Sequence, residues 1–177
     1  FGGINLEDIA APRCFDIEDA LQDLGIPVFH DDQHGTAIAV LAAVINALLV
    51  TNRKIEDTKF VFAGAGAGGI ASTKLLLDHG AKHVVLVDSV GIISRDRTDL
   101  TAVKSAMLDT TNPDNLSGGI TDAMRGADVF IGLAAGDMIS PEMVTSMAKD
   151  SIVFAMANPI PEIWPDLAKA AGATVVG

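Results

Sequence analysis

Apolar and polar positions along this chain alternate between two periodicities. Short runs rich in β-branched and aromatic residues, typical of buried strands, occur at 26–29, 59–63, 83–87, 127–132, 152–156 and 173–176. Segments with helical spacing lie between them, at 16–24, 35–49, 69–79, 100–108, 121–125, from 140 onward and at 163–171. Strands that alternate with helices and are apolar almost throughout predict an α/β fold, with a doubly wound, mostly parallel sheet covered on both faces.

One strand-to-helix junction has the glycine spacing of a dinucleotide site. Gly64, Gly66 and Gly69 follow the strand at 59–63 and fit the pattern G-x-G-x-x-G. These glycines permit a tight turn, backbone approach to a pyrophosphate and close helix packing, as in Rossmann-like NAD(P)-binding domains. The candidate cofactor residues of this region are Gly64, Ala65, Gly66, Ala67, Gly68, Gly69, Asp88 and Ser89. The alternative is a structural glycine turn in another doubly wound protein.

The choice between NAD and NADP depends on Asp88. This residue directly follows the strand at 83–87, about 20 residues after the glycines, where an acid binds the ribose hydroxyls. A carboxylate there accepts hydrogen bonds from the 2′- and 3′-hydroxyls and repels a 2′-phosphate, so NAD is favoured over NADP. Arg95 and Arg97 are close in sequence and weaken this argument.

Two strand ends later in the chain are further candidates. Small residues, including Ala134 and Ala135, follow the strand at 127–132, and Asn158 follows the strand at 152–156. Ligands of open α/β sheets bind at the carboxyl ends of strands. Routine strand-end turns explain both segments equally well.

Two acidic pairs, Glu7-Asp8 and Asp31-Asp32, flank the first predicted helix. Such oxygen ligands suit Mg²⁺ or Mn²⁺, but spacing alone favours helix caps or a solvated face. His30 and His34 flank the second pair, and a structural role is the favoured interpretation for both.

Composition limits the classes of function. The 177 residues suit one domain, and the net charge of −11 argues against a nucleic-acid surface. The longest apolar segment, 37–50, is shorter than a membrane span and is expected to be a core helix. The lone Cys14 excludes an internal disulfide and fits a reducing compartment, so we expect a cytoplasmic protein without membrane contact.

Four segments together resemble the malic enzymes, specifically the short bacterial type. They are Ile4 to Phe15 (INLEDIAAPRCF), Val28 to Ala37 (VFHDDQHGTA), the loop at Gly64, and Ala157 to Glu162 (ANPIPE). The resemblance implies oxidative decarboxylation of L-malate to pyruvate and CO₂, with NAD(P)⁺ as hydride acceptor and Mg²⁺ or Mn²⁺ bound.

The resemblance also assigns roles to individual residues. It implies that Glu7, Asp8 and Asp32 are metal ligands and that Asp31 is an acidic residue supporting the catalytic site. It further implies that Thr36 contacts the cofactor and that Asn158 contacts the substrate. The expectation from spacing alone, that the acidic pairs are structural, is thereby reversed.

The chain departs from the family in what it lacks. The family's general base is a lysine and its general acid a tyrosine, both upstream of the glutamate–aspartate motif, whereas this chain contains no tyrosine. We therefore expect residues 1–177 to be a single NAD(P)-binding domain that carries the metal ligands, without the upstream catalytic domain and inactive alone. The full-length enzyme is expected to be a homo-oligomer.

Two alternative functions fit the same sequence features. One is a non-catalytic nucleotide-binding or sensor module, which has no need for the carboxylates of Glu7, Asp8 and Asp32 to converge. The other is a metal-independent amino- or hydroxy-acid dehydrogenase with the same fold, which requires a catalytic lysine or histidine in the cleft.

Overall fold

The computed structural model describes residues 1–177 and contains seven strands and seven α-helices. The strands are β1 (Ile4–Leu6), β2 (Val28–His30), β3 (Lys59–Ala63), β4 (His83–Val87), β5 (Val129–Gly132), β6 (Ile152–Ala155) and β7 (Val175–Val176). The helices are α1 (Arg13–Leu21), α2 (Thr36–Val50), α3 (Ala67–Asp78), α4 (Ala102–Met107), α5 (Ile120–Met124), α6 (Pro141–Thr145) and α7 (Pro165–Ala170). A π-helical turn (Asp31–Gly35) runs directly into α2, and a 3₁₀ turn (Ile55–Asp57) precedes β3.

The main sheet confirms the predicted fold class. Its five strands are all parallel, in the order β4-β3-β5-β6-β7. The chain passes from β3 to β4 on one side and returns to β5 on the other, so the strand order reverses between β3 and β5. Open α/β sheets bind ligands outside the carboxyl ends of the strands at such a reversal.

Alternate residues of β3 point to opposite faces of the sheet, and each face has its own core. Phe60 and Phe62 belong to a cluster that includes Val40, Val44 and Leu48 of α2. The intervening residues belong to a second cluster, to which α5, α6 and α7 contribute. The prediction of helices on both faces is therefore confirmed, and this packing fixes the ends of β3 to β6 where the cleft lies.

The N-terminal part differs from the sequence-based prediction. Strand β1 was not predicted, because three residues are too few to show a periodicity. It pairs in parallel with β2 in a separate two-stranded sheet, in which Leu6 lies opposite His30. The predicted helix at 16–24 instead spans Arg13–Leu21, and its early start brings Cys14 into a fully buried position. The other predicted elements occur with bounds that differ by a few residues.

The π-helical turn and α2 form one continuous helical segment. Asp31–Val50 is 20 residues long and apolar enough to cross a membrane by length and composition alone, although 33% of its most apolar window is buried within this fold. Core helices of soluble proteins have the same features. The expectation that the protein makes no membrane contact stays a prediction.

Candidate functional site

A cavity of about 540 Å³ opens at the carboxyl ends of β3, β4 and β5. Seven of the predicted cofactor residues line it: Gly64, Ala65, Gly66, Asp88, Ser89, Ala134 and Ala135. Further walls come from α1 and the segment before it, and from α4, which were not predicted to take part. The strand order places this cavity at the reversal point, where a dinucleotide would cross the sheet.

Gly64 shows why the loop after β3 needs a glycine. Its φ is +109°, a conformation that other residues rarely adopt. A side chain here would also collide with the carbonyl oxygen of Leu133, in the loop after β5. The loops that follow β3 and β5 are thus in direct contact. Helix α3 begins three residues later, so its free N–H groups lie beside the cavity.

Asp88 is held by two cations. Its side chain is only 6% exposed, and its Oδ2 accepts hydrogen bonds from Lys104 Nζ at 2.6 Å and from Arg97 Nη2 at 3.2 Å. Its Oδ1 accepts from Arg97 Nη1 at 2.8 Å and from the amides of Val90 and Gly91. Burial alone would raise the pKa of Asp88, but the hydrogen bonds from Arg97 and Lys104 outweigh it and hold the pKa well below its usual range.

The cations near Asp88 are only partly those that the sequence suggested. Arg97 contacts Asp88, whereas Arg95 donates to the carbonyl oxygens of Asn112 and Leu108, away from the carboxylate. Lys104 was missed, since it lies 16 residues after Asp88 and reaches the cavity only because α4 packs there. A lysine on the helix that follows the acid is the signal that could have found it.

The other predicted cofactor residues lie beside the cavity and do not line it. Ala67, Gly68 and Gly69 form the first turn of α3. Thr36 packs against this turn: its methyl carbon lies 3.1 Å from where a Cβ on Gly68 would be. The carbonyl oxygen of Asp32 is equally close, so the acidic segment after β2 abuts the glycine loop.

Parallel pairing of β1 and β2 places the two acidic pairs side by side. Glu7 and Asp8 directly follow β1, while Asp31 and Asp32 directly follow β2. The amide of Asp8, which has a positive φ of 57°, donates to Asp32 Oδ2 at 2.9 Å. No Lys or Arg side chain is paired with any of these carboxylates. We call these four residues the acidic cluster.

A buried hydrogen-bond chain supports one end of the acidic cluster. Glu18 of α1 accepts hydrogen bonds from Gln33 Nε2 at 2.9 Å and from His34 Nε2 at 2.6 Å. Gln33 Nε2 also donates to His30 Nδ1 at 2.8 Å. With Nδ1 as the acceptor, the proton of the neutral ring is on Nε2, which lies 3.4 Å from Asp32 Oδ2. Both histidines thus have structural partners, and His30 is fully buried.

The acidic cluster does not have the geometry of a formed metal site. No three His, Cys, Asp or Glu side chains lie close enough together to hold one ion. Glu7, Asp8 and Asp31 are exposed. Their chemistry suits a divalent cation, because hard oxygen donors without a cationic partner are what Mg²⁺ and Mn²⁺ bind. The donor set therefore fits a metal, although its side chains are not converged.

Asn158 lies past the end of β6 with an exposed side chain. Close to it, Glu162 is fully buried, and its carboxylate accepts hydrogen bonds from the amides of Ala134 and Ala157. Sequence reasoning missed Glu162. The available signal was an acidic residue in an otherwise apolar and proline-rich segment immediately after a strand.

Comparison with known proteins identifies the family. The model of the "Malic enzyme, NAD binding domain" family matches residues 33–171. The chain belongs to the malic enzyme family. It is 55% identical over 170 residues to the NAD-dependent malic enzyme of Geobacillus stearothermophilus, covering 96% of this chain and 36% of that protein. An NADP-dependent malic enzyme of Halomonas elongata is 46% identical over 172 residues, covering 96% of this chain and 40% of that protein.

Solved structures give the same result. The crystal structure of the NAD-dependent malic enzyme of Thermotoga maritima superposes with a TM-score of 0.97 at 49% identity, covering all of this chain and 48% of that one. The fold is thus the Rossmann-like NAD-binding fold of malic enzymes. The chain spans less than half the length of each of these relatives.

Proposed function

We propose that this chain is the cofactor- and metal-binding domain of an enzyme that oxidises and decarboxylates L-malate to pyruvate and CO₂, with reduction of NAD⁺. The observation that carries the proposal is the cavity at the sheet reversal, which the glycine loop, Asp88 and the loop after β5 line together. Membership of the malic enzyme family supports the reaction type. The upstream domain with the general base and acid is part of this proposal.

The residues have separate tasks in the proposed reaction. The glycine loop and the start of α3 bind the pyrophosphate through backbone N–H groups, which suits an acidic protein without long-range attraction for anions. Asn158 contacts the substrate from the end of β6. Asp31 supports the acidic cluster next to the glycine loop.

Glu7, Asp8 and Asp32 are the proposed ligands of Mg²⁺ or Mn²⁺. Held by these carboxylates, a divalent ion would supply Lewis-acid polarisation of the substrate oxygens, which would favour loss of the neighbouring carboxylate as CO₂. This chain's contribution is to place carboxylates beside the cofactor cavity. The hydrogen bond from the Asp8 amide holds the Asp32 carboxylate in place, and the buried His30 ring lies beside it.

NAD is the proposed cofactor, and the cations on Asp88 favour NADP as a second one. Arg97 pairs with Asp99 as well as with Asp88, whereas Lys104 pairs with Asp88 alone, so Lys104 is the cation that remains available to a further anion at the ribose end of the cavity. A 2′-phosphate could pair with Lys104 after a small side-chain movement. We expect Lys104→Met to weaken NADP⁺ binding about tenfold and to change NAD⁺ binding little. Isothermal titration of both nucleotides tests this, with Lys82→Met at an exposed position as the matched control.

The reaction is tested in the full-length protein that carries this chain. With L-malate, NAD⁺ and Mn²⁺, we expect NADH, pyruvate and CO₂ in equal amounts, and we expect Asp32→Asn to abolish their formation. Residues 1–177 alone should bind NAD⁺ and form no NADH. Formation of NADH without CO₂ would contradict the decarboxylation.

One observation favours a second candidate, a non-catalytic nucleotide-binding module. The carboxylates of the acidic cluster do not converge on one point. A sensor has no need for them to converge. The two candidates differ in Mn²⁺ binding by the full-length protein: the enzyme requires a site that Asp32→Asn removes, and the sensor does not.

Small-molecule substrates, malate and pyruvate, are the proposed partners. We further propose a cytoplasmic homo-oligomer that contacts neither nucleic acid nor membrane. The strongly acidic composition supports the exclusion of nucleic acid. Size-exclusion chromatography with light scattering on the full-length protein tests the oligomeric state.

A further inference from the structure

One buried carboxylate joins two loops of the cleft. Glu162 lies between β6 and α7 and is 0% exposed. Its Oε1 accepts the amide of Ala134 at 2.9 Å, and its Oε2 accepts the amide of Ala157 at 3.1 Å. None of the ion pairs in the structure includes it. A carboxylate buried without a cation is costly, so these two hydrogen bonds must offset much of the lost hydration.

The two amides are the first that the sheet leaves without a partner. In the loop after β5, the amide of Leu133 still bonds to a neighbouring strand, at 2.7 Å from the oxygen of Ala63. After β6, the amide of Met156 does so, at 3.1 Å from the oxygen of Gly132. The next amide of each loop is the one that Glu162 accepts. A single side chain therefore continues the hydrogen bonding of the sheet into both loops.

The surrounding backbone is built around this carboxylate. A Cβ on Gly132 would lie 2.5 Å from both carboxylate oxygens, so Glu162 occupies the space that a side chain would fill. The amide of Asp137 donates to the oxygen of Pro161, and that of Ile139 donates to the oxygen of Glu162, each at 2.9 Å. The loop after β5 and the segment 157–162 consequently form one unit.

These two loops lie on one half of the cleft. In a doubly wound sheet a dinucleotide crosses the reversal point, and the acid after the second strand of the motif binds the adenosine ribose. Asp88 therefore places the adenosine half over β3 and β4, and the nicotinamide half lies over β5 and β6. Ala134 and Ala135 line the cavity on that side, and Asn158 directly follows Ala157.

We propose that Glu162 is a positioning residue that fixes the loop beneath the nicotinamide half relative to the segment bearing Asn158. The proposal rests on the proposed function, which supplies the dinucleotide and the substrate. Glu162 touches neither of them and acts through the amides of Ala134 and Ala157. We call this set of two hydrogen bonds the Glu162 bridge.

Glu162→Gln tests the bridge at nearly constant volume. The glutamine oxygen can accept one of the amides, while its NH₂ group meets the other N–H and leaves it unpaired. We expect NAD⁺ affinity to fall about tenfold, the typical effect of one unsatisfied buried donor. Affinity for ADP, which has the adenosine and both phosphates but lacks the nicotinamide riboside, should stay within about twofold. Glu142→Gln, at an exposed position of α6, is the matched control and should change neither affinity.

The outcomes separate the bridge from the proposed function. If the wild-type chain binds neither NAD⁺ nor ADP, the proposed nucleotide function is wrong. If it binds both and Glu162→Gln binds NAD⁺ equally well, or loses both ligands equally, the positioning role is wrong. Should the variant not fold, amide hydrogen exchange in the wild type decides. The bridge requires slow exchange at Ala134 and Ala157, and exchange as fast as at an exposed loop amide would overturn it.

Discussion

The cofactor cleft and the acidic cluster lie next to each other but differ in how completely the fold builds them. The cleft is formed by loops fixed at the ends of packed parallel strands, and its one acid, Asp88, is held by hydrogen bonds from Arg97 and Lys104. The acidic cluster follows a small two-stranded sheet, is largely exposed and has no cationic partner. From this difference we propose that nucleotide binding is a property of this domain alone, and that the acidic cluster binds a metal only when an ion or a further domain draws its carboxylates together.

The largest expected effect comes from Gly64→Ala, which changes a backbone position in the cofactor cleft. The side chain requires an unfavourable φ and collides with the Leu133 carbonyl. We expect the free energy of unfolding to drop by about 1–3 kcal/mol and NAD⁺ affinity to drop about a hundredfold. Chemical denaturation and calorimetric titration measure the two quantities.

Gly66→Ala is the control for that experiment. Gly66 has a φ of −92°, and a Cβ there would meet nothing within 4 Å. Stability should be retained while NAD⁺ binding weakens, since the methyl group would face the pyrophosphate. Equal stability losses for both variants would show that Gly64 is not a special position.

Asp88→Ala should have the next largest effect. It removes the carboxylate at the ribose and leaves Arg97 and Lys104 without their common partner. We expect NAD⁺ binding to weaken by about 1–3 kcal/mol, with a smaller loss or a gain for NADP⁺. Competitive titration of the two nucleotides checks this, and unchanged NAD⁺ affinity would remove Asp88 from the site.

The same carboxylate gives the cleft an acid-sensitive component. Because the pKa of Asp88 is lowered in the folded state, its stabilising contribution is present above the unfolded value of about 3.9 and is lost as pH falls toward the lower folded value. The difference in unfolding free energy between wild type and Asp88→Asn should therefore be constant near neutral pH and shrink below about pH 4. A difference that grows on acidification would contradict the ion-pair assignment.

Asp32→Asn should have the smallest effect on nucleotide binding. The acidic cluster contacts the start of α3 through backbone, and this substitution changes only a side chain. With metal removed, we expect NAD⁺ affinity to stay within about twofold of the wild type. A tenfold loss would mean that the two regions are not separate.

The sequence predicted those parts of the molecule that have a strong local pattern. Residues 59–78 combine a β-branched run with glycines that the turn requires. The sequence therefore predicted this strand, loop and helix and their place in the fold. Asp88 comes directly after a clear strand, and that pattern predicted its position at the cavity. The acidic residues were assigned only by resemblance to a family.

The remaining features depend on contacts between distant segments. Lys104 reaches Asp88 only through the packing of α4, and Glu162 meets amides of two different loops. Strand β1 exists because β2 pairs with it, since three residues have no pattern of their own. Such features are not encoded in any local periodicity.

The central claim is that the cleft binds nucleotide before any metal site is formed. Its most direct test is titration of NADH into residues 1–177, once with EDTA and once with excess Mn²⁺. Nicotinamide fluorescence is the signal that reports binding. We expect saturable binding in EDTA with an affinity that Mn²⁺ changes by less than about threefold. Binding that appears only when Mn²⁺ is present would contradict it.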